Sequence, residues 1–166
     1  MKSLNKTSVA VFAKLVELLG TKDHIKIENT NGVFMAVSFE LLQEINFNNQ
    51  SAKLFALAHY YEQNGDLIPS PDMTFIQLVN QKDLIYPTSI TNSFGYKEGI
   101  WMKDGKWVIN RKEQADQTAF ANIWLKNIKH QQFATEEIED FTSRVISGVT
   151  TLRKCFPEGL INKKSK

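Results

Sequence analysis

Three turn signals, Asn31-Gly32, Asn64-Gly65 and Asp104-Gly105, each stand between runs of β-prone residues. The tightest hairpin turn needs positive φ at both central positions. Asn, Asp and Gly tolerate that, and bulky or β-branched residues do not. A chain punctuated in this way folds successive segments back antiparallel. Before the first turn, Ile25 and Ile27 alternate with Lys26 and Glu28; after it, Val33, Met35, Val37 and Phe39 resume the alternation. Segment 45–50 is rich in Asn and reads as a loop. Residues 53–62 read as a strand, with a helix as the alternative. As a strand it puts Phe55, Leu57, His59 and Tyr61 on one face and Leu54, Ala56, Ala58 and Tyr60 on the other. Pro69 and Pro71 punctuate the way into a fourth strand, 72–79. Pro87 interrupts 84–90 and suggests an edge or a strand start there. Segment 100–109 is a hairpin about Asp104-Gly105, flanked by Trp101-Met102 and Trp107-Val108-Ile109.

Helical periodicity appears only outside this central block. Val9, Phe12, Leu15, Val16 and Leu19 recur on one face of 8–19, with Thr7 or Ser8 as N-cap and Gly20 as the stop. Residues 112–132 carry Phe120, Ile123, Trp124 and Ile128 as a stripe. Asp116, Asn127 and Gln131 fall near that face, as amides and a carboxylate at its edge or as braces for sheet loops. Residues 136–155 carry Ile138, Phe141, Val145, Val149 and Leu152, with glutamates in the first turn, basic residues in the last and Pro157 beyond. The expected fold class is α+β: a mostly antiparallel sheet with one N-terminal helix and two C-terminal helices. At 166 residues the expectation is a single domain, 1–166, with a flexible basic tail over 158–166.

Composition excludes several function classes. Apolar content of 42% and charged content of 23% are those of a globular protein. No apolar run approaches the ~20 residues that span a bilayer, and the N-terminus lacks a secretory pattern; the expected location is the cytoplasm, with no membrane partner. A lone cysteine, Cys155, precludes an intrachain disulfide and reads as a small buried hydrophobe. A net charge of +2, with its basic residues spread along the chain, gives little support for nucleic acid. Trp107 and Trp124 read as core residues rather than base-stacking platforms, and Trp101 is open. Nothing resembles a phosphate loop or a serine-nucleophile elbow, and no cofactor is expected. His24 and His130 read as solvated side chains.

The chemistry-bearing residues concentrate in 58–75. His59, Tyr60, Tyr61, Glu62, Asn64, Asp66, Asp72 and Phe75 lie close together where a strand end runs into a turn. In the plainest reading Asn64-Gly65 turns the chain, Asp66 bonds backbone amides, and the tyrosines pack with hydroxyls outward. In a second, the segment is a binding rim. Tyr60, Tyr61 and Phe75 then supply area, while Glu62, Asn64, Asp66 and Asp72 supply specificity. In a third, His59, Glu62, Asp66 and Asp72 hold a divalent metal for hydrolysis. The strand reading counts against the third, since His59 and Glu62 then point to opposite faces. Pro71-Asp72 with Lys97 and Glu98 loosely matches a magnesium-dependent nuclease signature, a fragment common by chance.

The run Ala58-His59-Tyr60-Tyr61-Glu62-Gln63-Asn64-Gly65-Asp66-Leu67, followed by Pro71-Asp72-Met73-Thr74-Phe75, resembles an uncharacterised bacterial domain family of phages, plasmids and integrative elements. That family carries a His-Tyr-x-Glu-Gln-Asn-Gly-Asp-Leu motif and then an Asp-Pro-Glu/Asp-Met block. Ser70 stands here where the block begins with Asp. Tyr86-Pro87, Asn92-Ser93-Phe94-Gly95 and the Phe120 to Phe133 helix pattern extend the resemblance to about 8–133. It implies a mobile-element setting and no particular reaction. The expectation is an accessory protein that binds a protein partner through 58–75, with a metal-dependent hydrolase as the alternative and nucleic-acid binding as the second alternative.

Overall fold

The computed structural model describes residues 1–28 and 33–133. Six strands pair in chain order, all antiparallel: β1 (His24–Ile27), β2 (Val37–Phe47), β3 (Gln50–Gln63), β4 (Asp66–Leu78), β5 (Ile85–Asn92) and β6 (Gly95–Glu98). A separate hairpin, β7 (Ile100–Lys103) with β8 (Lys106–Ile109), follows, and helices α1 (Lys6–Leu19) and α2 (Arg111–Ile128) flank the whole. A π-helical turn over Lys129–Phe133 continues α2. Mostly antiparallel sheet was expected, and is present.

The helix count is corrected. Among the described residues there are two helices in total, one N-terminal and one C-terminal, so the expected pair of C-terminal helices is not what the structure has. The expected 136–155 helix, Cys155 and the basic tail lie outside the described residues, as does the Asn31-Gly32 turn. The strand after that turn begins only at Val37, and Val33 and Met35 are exposed. Alternation alone could not show this, because it does not report whether a partner strand lies opposite.

The 45–50 loop is also corrected. β2 runs on to Phe47 and turns at Asn48-Asn49, both with positive φ, straight into β3. Two consecutive Asn residues meet the same left-handed requirement that Asn-Gly meets elsewhere. The fourth strand likewise starts at Asp66, six residues before Asp72, because Ser70 and the cis-linked Pro71 together face His59 as a bulge that absorbs the prolines. Pro87 sits at another register shift, opposite Phe75, in a stretch of β5 that β6 does not reach.

One sheet face is covered by the helices. Phe12 of α1 is fully buried against Phe39, Phe55 and Phe75, with ring centroids 5.2, 5.5 and 5.3 Å away. Ile25, Ile27, Val37, Leu57 and Met73 complete the sheet side, and Ala121, Trp124, Leu125 and Ile128 the α2 side. On the other face, one end of the sheet buries Ala52, Ile76 and Leu78 beneath β7 and β8, and Trp107 donates Nε1–H to the Asn46 carbonyl at 2.9 Å. The other end of that face has no such cover among the described residues.

The N-terminal helix is capped differently from expectation. Asn5, and not Thr7 or Ser8, caps α1 by accepting from the Ser8 amide. In α2 the apolar stripe is rotated: Phe120 and Ile123 are exposed, while Gln114, Gln117 and Thr118 are buried. Gln114 exchanges two 2.8 Å hydrogen bonds with the Lys2 backbone, and the Leu4 amide donates to Ile85. The N-terminal segment thus lies against α2, and a polar face serves it better than an apolar one.

Close packing of α2 on the sheet rests on Gly99. A Cβ there would lie 2.8 Å from the Gln114 Cα and 3.0 Å from its Cβ, and helix backbone has little freedom to yield. Gly99→Ala is expected to cost about 1–3 kcal/mol. A thermal melt would show this as a midpoint lower by roughly 3–10 °C; an unchanged midpoint would mean that α2 shifts freely.

Candidate functional site

β3 and β4 outgrow the rest of the sheet. Pairing with β2 ends at Val37–His59, and pairing with β5 ends at Asp72–Thr91. Beyond those limits, among the described residues, β3 and β4 pair only with each other, through Tyr60–Pro69, Tyr61–Ile68, Glu62–Leu67 and Gln63–Asp66. Asn64 and Gly65, at φ 55° and 87°, close the tip as expected. The result is a two-stranded arm. Its four paired rows extend it by roughly 13 Å past its neighbours. A ribbon this short is marginal alone; it persists as the continuation of two strands anchored in the core by Phe55, Leu57, Met73 and Phe75.

The residues expected to form one rim are divided by the pleat. Tyr60, Glu62 and Leu67 share the arm face that continues the uncovered side of the sheet, where Asp72 also lies. Tyr61, Asp66 and Ile68 share the opposite face, and Asn64 is at the tip. Phe75 is no part of any rim. It is fully buried at the centre of the helix-covered core, so its role as contact surface is withdrawn. Tyr60 and Tyr61 are half-buried, and Leu67 is 69% exposed. Nothing in the sequence marks Leu67 as exposed, because a single apolar residue after a turn has the pattern of ordinary strand.

The base of the arm is acidic. Burial, and then the Glu40 carboxylate, raise the Asp72 carboxyl above its ordinary value. Burial, then Asp72, then Glu40, raise the Tyr60 phenol. The register puts Glu40, opposite Ala56, and Asp72, opposite Ala58, on the uncovered face with Tyr60, close enough for their charges to act in this way. Alternation with the buried Phe39 puts Glu40 on the outer side of β2, which is the sequence signal for its place here. No Lys or Arg occurs between Lys53 and Lys82, whereas Glu62, Asp66 and Asp72 do. Among the described residues none of Glu40, Glu62, Asp66 and Asp72 makes a salt bridge. The arm and its base therefore present uncompensated negative charge beside Tyr60 and Leu67.

His59 belongs elsewhere. It is 4% exposed, on the helix-covered face, and its Nδ1 accepts the Trp124 Nε1–H at 3.1 Å, the rings meeting edge-on at 5.4 Å. That bond fixes the tautomer: Nδ1 is the acceptor, so Nε2 holds the proton, buried without a partner. Burial lowers the ring pKa from 6.5 to about 4. A ligand to a metal shared with Glu62 would have to leave this pocket and cross the sheet. Among the described residues no three His, Cys, Asp or Glu side chains stand close enough to hold a metal ion, so His59, Glu62, Asp66 and Asp72 are not brought together. No described helix is long and apolar enough to cross a membrane.

No curated protein and no solved structure matches the chain. A family profile matches residues 9–134, which include every described strand, most of α1, all of α2 and the whole arm; the chain belongs to the family described as Domain of unknown function (DUF6908).

Proposed function

We propose that this protein works by binding a protein partner through the β3–β4 arm and its acidic base, and that the partner surface is basic with an apolar centre. The observation that carries this reading is the arm itself: four strand pairs whose backbone edges, among the described residues, have no sheet neighbour on either side. Free edges are templates for strand addition, and natural proteins shorten or cover them unless they are used. Leu67 and Tyr60 supply contact area, while Glu40, Glu62 and Asp72 supply charge that selects a basic surface. The same charge repels phosphate, which disfavours this surface for nucleic acid. The resemblance to proteins of phages and mobile elements, together with the composition, supports an accessory protein of such an element acting in the cytoplasm.

The test is a tagged pull-down from the native host, read by mass spectrometry, with the double variant Glu62→Lys, Leu67→Ser alongside. Both positions are exposed, so the unfolding midpoint is expected to stay put. A stoichiometric partner held by the parent chain is expected to be lost from the variant, its affinity down by tenfold or more. Retention of that partner by the variant would remove the arm from consideration.

A further inference from the structure

A cavity of about 250 Å³ opens between α2 and the β5–β6 hairpin, lined by Ile90, Phe94, Lys97, Glu113, Asp116, Gln117 and Phe120, among others. It lies at the same end of the sheet as the arm, since β5 ends there opposite Asp72, but it shares no residue with it. Three of its features point to the same ligand chemistry. First, two phenyl rings stand at it without being buried: Phe94 is 92% exposed at a turn tip, and Phe120 is 40% exposed on α2. A ring so exposed adds nothing to the core, and its face attracts cations. Second, Glu113 and Asp116 place two carboxylates there against the single ammonium of Lys97. Asp116 is paired with Lys112 at 2.9 Å, but both side chains are exposed, and such a pair exchanges readily. Third, Gln117 is only 2% exposed, and its Oε1 has no donor. Its Nε2 faces the Lys97 carbonyl at 3.3 Å and the Glu113 carboxylate at 3.4 Å, both acceptors, which fixes the amide the way round it is drawn. Gln117 lines the cavity, and a buried oxygen without a donor gives its side chain reason to turn toward a donating ligand.

We infer that this cavity receives an arginine side chain from a partner peptide. A guanidinium is planar and stacks on aromatic faces. It carries five donors in a fixed fork, and it stays charged at every physiological pH. Phe94 and Phe120 provide the stacking faces, Glu113 and Asp116 the charge, and Gln117 Oε1 the acceptor, while Ile90 lies against the aliphatic stem. Lysine offers the charge and three donors, but neither the plane that stacks on both rings nor the fixed fork.

The inference rests on the cavity and not on the arm, so one titration separates them. The full chain, nitrogen-labelled, is titrated with the blocked tripeptide acetyl-Ala-Arg-Ala-amide and with its Lys, citrulline and Glu counterparts. Saturable amide shifts are expected at Gly95, Lys97 and the Gln117 side chain. The dissociation constant should be on the order of millimolar for so small a ligand. Citrulline keeps the shape without the charge and is expected to bind about fivefold or more weakly. Phe94→Ser, at a fully solvated turn position, and Glu113→Gln are each expected to weaken binding by about the same factor while the rest of the spectrum stays unchanged. Absence of shifts at these amides, or equal affinity for arginine and citrulline, would overturn the assignment. Shifts confined to Tyr61 through Leu67 would overturn it too, while leaving the arm as the acceptor of basic groups.

Discussion

Replacing Phe12 by Ala is expected to remove about 3–5 kcal/mol of stability, the largest loss of any single substitution considered for this protein. Phe12 is the one aromatic ring that α1 inserts into the sheet, and it meets three others edge-on, Phe39 and Phe55 being stacked on each other at 5.2 Å. The ring leaves a cavity that these neighbours cannot close, because their own backbones are fixed by the ladder. Edge-on pairs add about 0.5–1.5 kcal/mol beyond their buried area. Native chains of this size hold about 5–15 kcal/mol in reserve, so the variant would sit near its unfolding threshold. Phe12→Leu keeps most of the volume and is expected to cost less than half as much. Urea titration followed by the fluorescence of the buried Trp124 gives both values; a loss below about 1 kcal/mol for Phe12→Ala would mean that α1 is not part of the cooperative unit.

The second large effect is one of pH. His59 is neutral in the folded state because burial has brought its pKa down to about 4. In the unfolded chain it titrates near 6.5. Between those values the unfolded state binds more protons at this site than the folded state does, so stability falls as pH drops from about 6.5 to about 4 and levels off below. At neutral pH and above, both states are unprotonated and the site contributes no penalty. The full shift corresponds to at most about 3 kcal/mol. Asp72 works in the opposite direction: its raised pKa means that the folded state takes up a proton before the unfolded one, which favours folding as the pH falls toward the carboxylate range. The informative quantity is therefore a difference between proteins. His59→Gln retains an acceptor for the Trp124 N–H and removes the titration. The parent is expected to lose about 2–3 kcal/mol more than His59→Gln between pH 7 and pH 4.5, measured from urea midpoints. Parallel pH profiles would show that protonated His59 is accommodated where it stands, and that burial does not govern its charge.

Both expectations concern a histidine and an aromatic core whose places were half legible in the sequence. Period-two alternation put Phe55, Leu57 and His59 on one face of β3, and they are on one face, buried. It also set His59 against Glu62, which the structure bears out and which left the metal reading without a shared coordination sphere. The Asn64-Gly65 and Asp104-Gly105 turns were legible because positive φ is a chemical restriction on residue type. Asn48-Asn49 obeys the same restriction but is not legible as a turn, since a polar cluster does not distinguish a two-residue turn from a longer connection.

What the sequence determined by itself was the set of local choices: which segments extend, which coil, where the chain reverses, and which residues of a strand share a face. Those follow from backbone sterics and side-chain period, and they act over a few residues. The tertiary structure decided everything that depends on what lies opposite. Whether β3 and β4 end level with their neighbours or project past them is set by where β2 and β5 stop, and that is not written in β3 or β4. Whether Phe75 is core or rim depends on α1, sixty residues away, delivering Phe12 against it. Whether the inner face of α2 is apolar depends on the Lys2 backbone needing partners at Gln114 and Thr118. Burial, register limits and hydrogen-bond demand are properties of pairs of segments, and one segment's residues state only half of each.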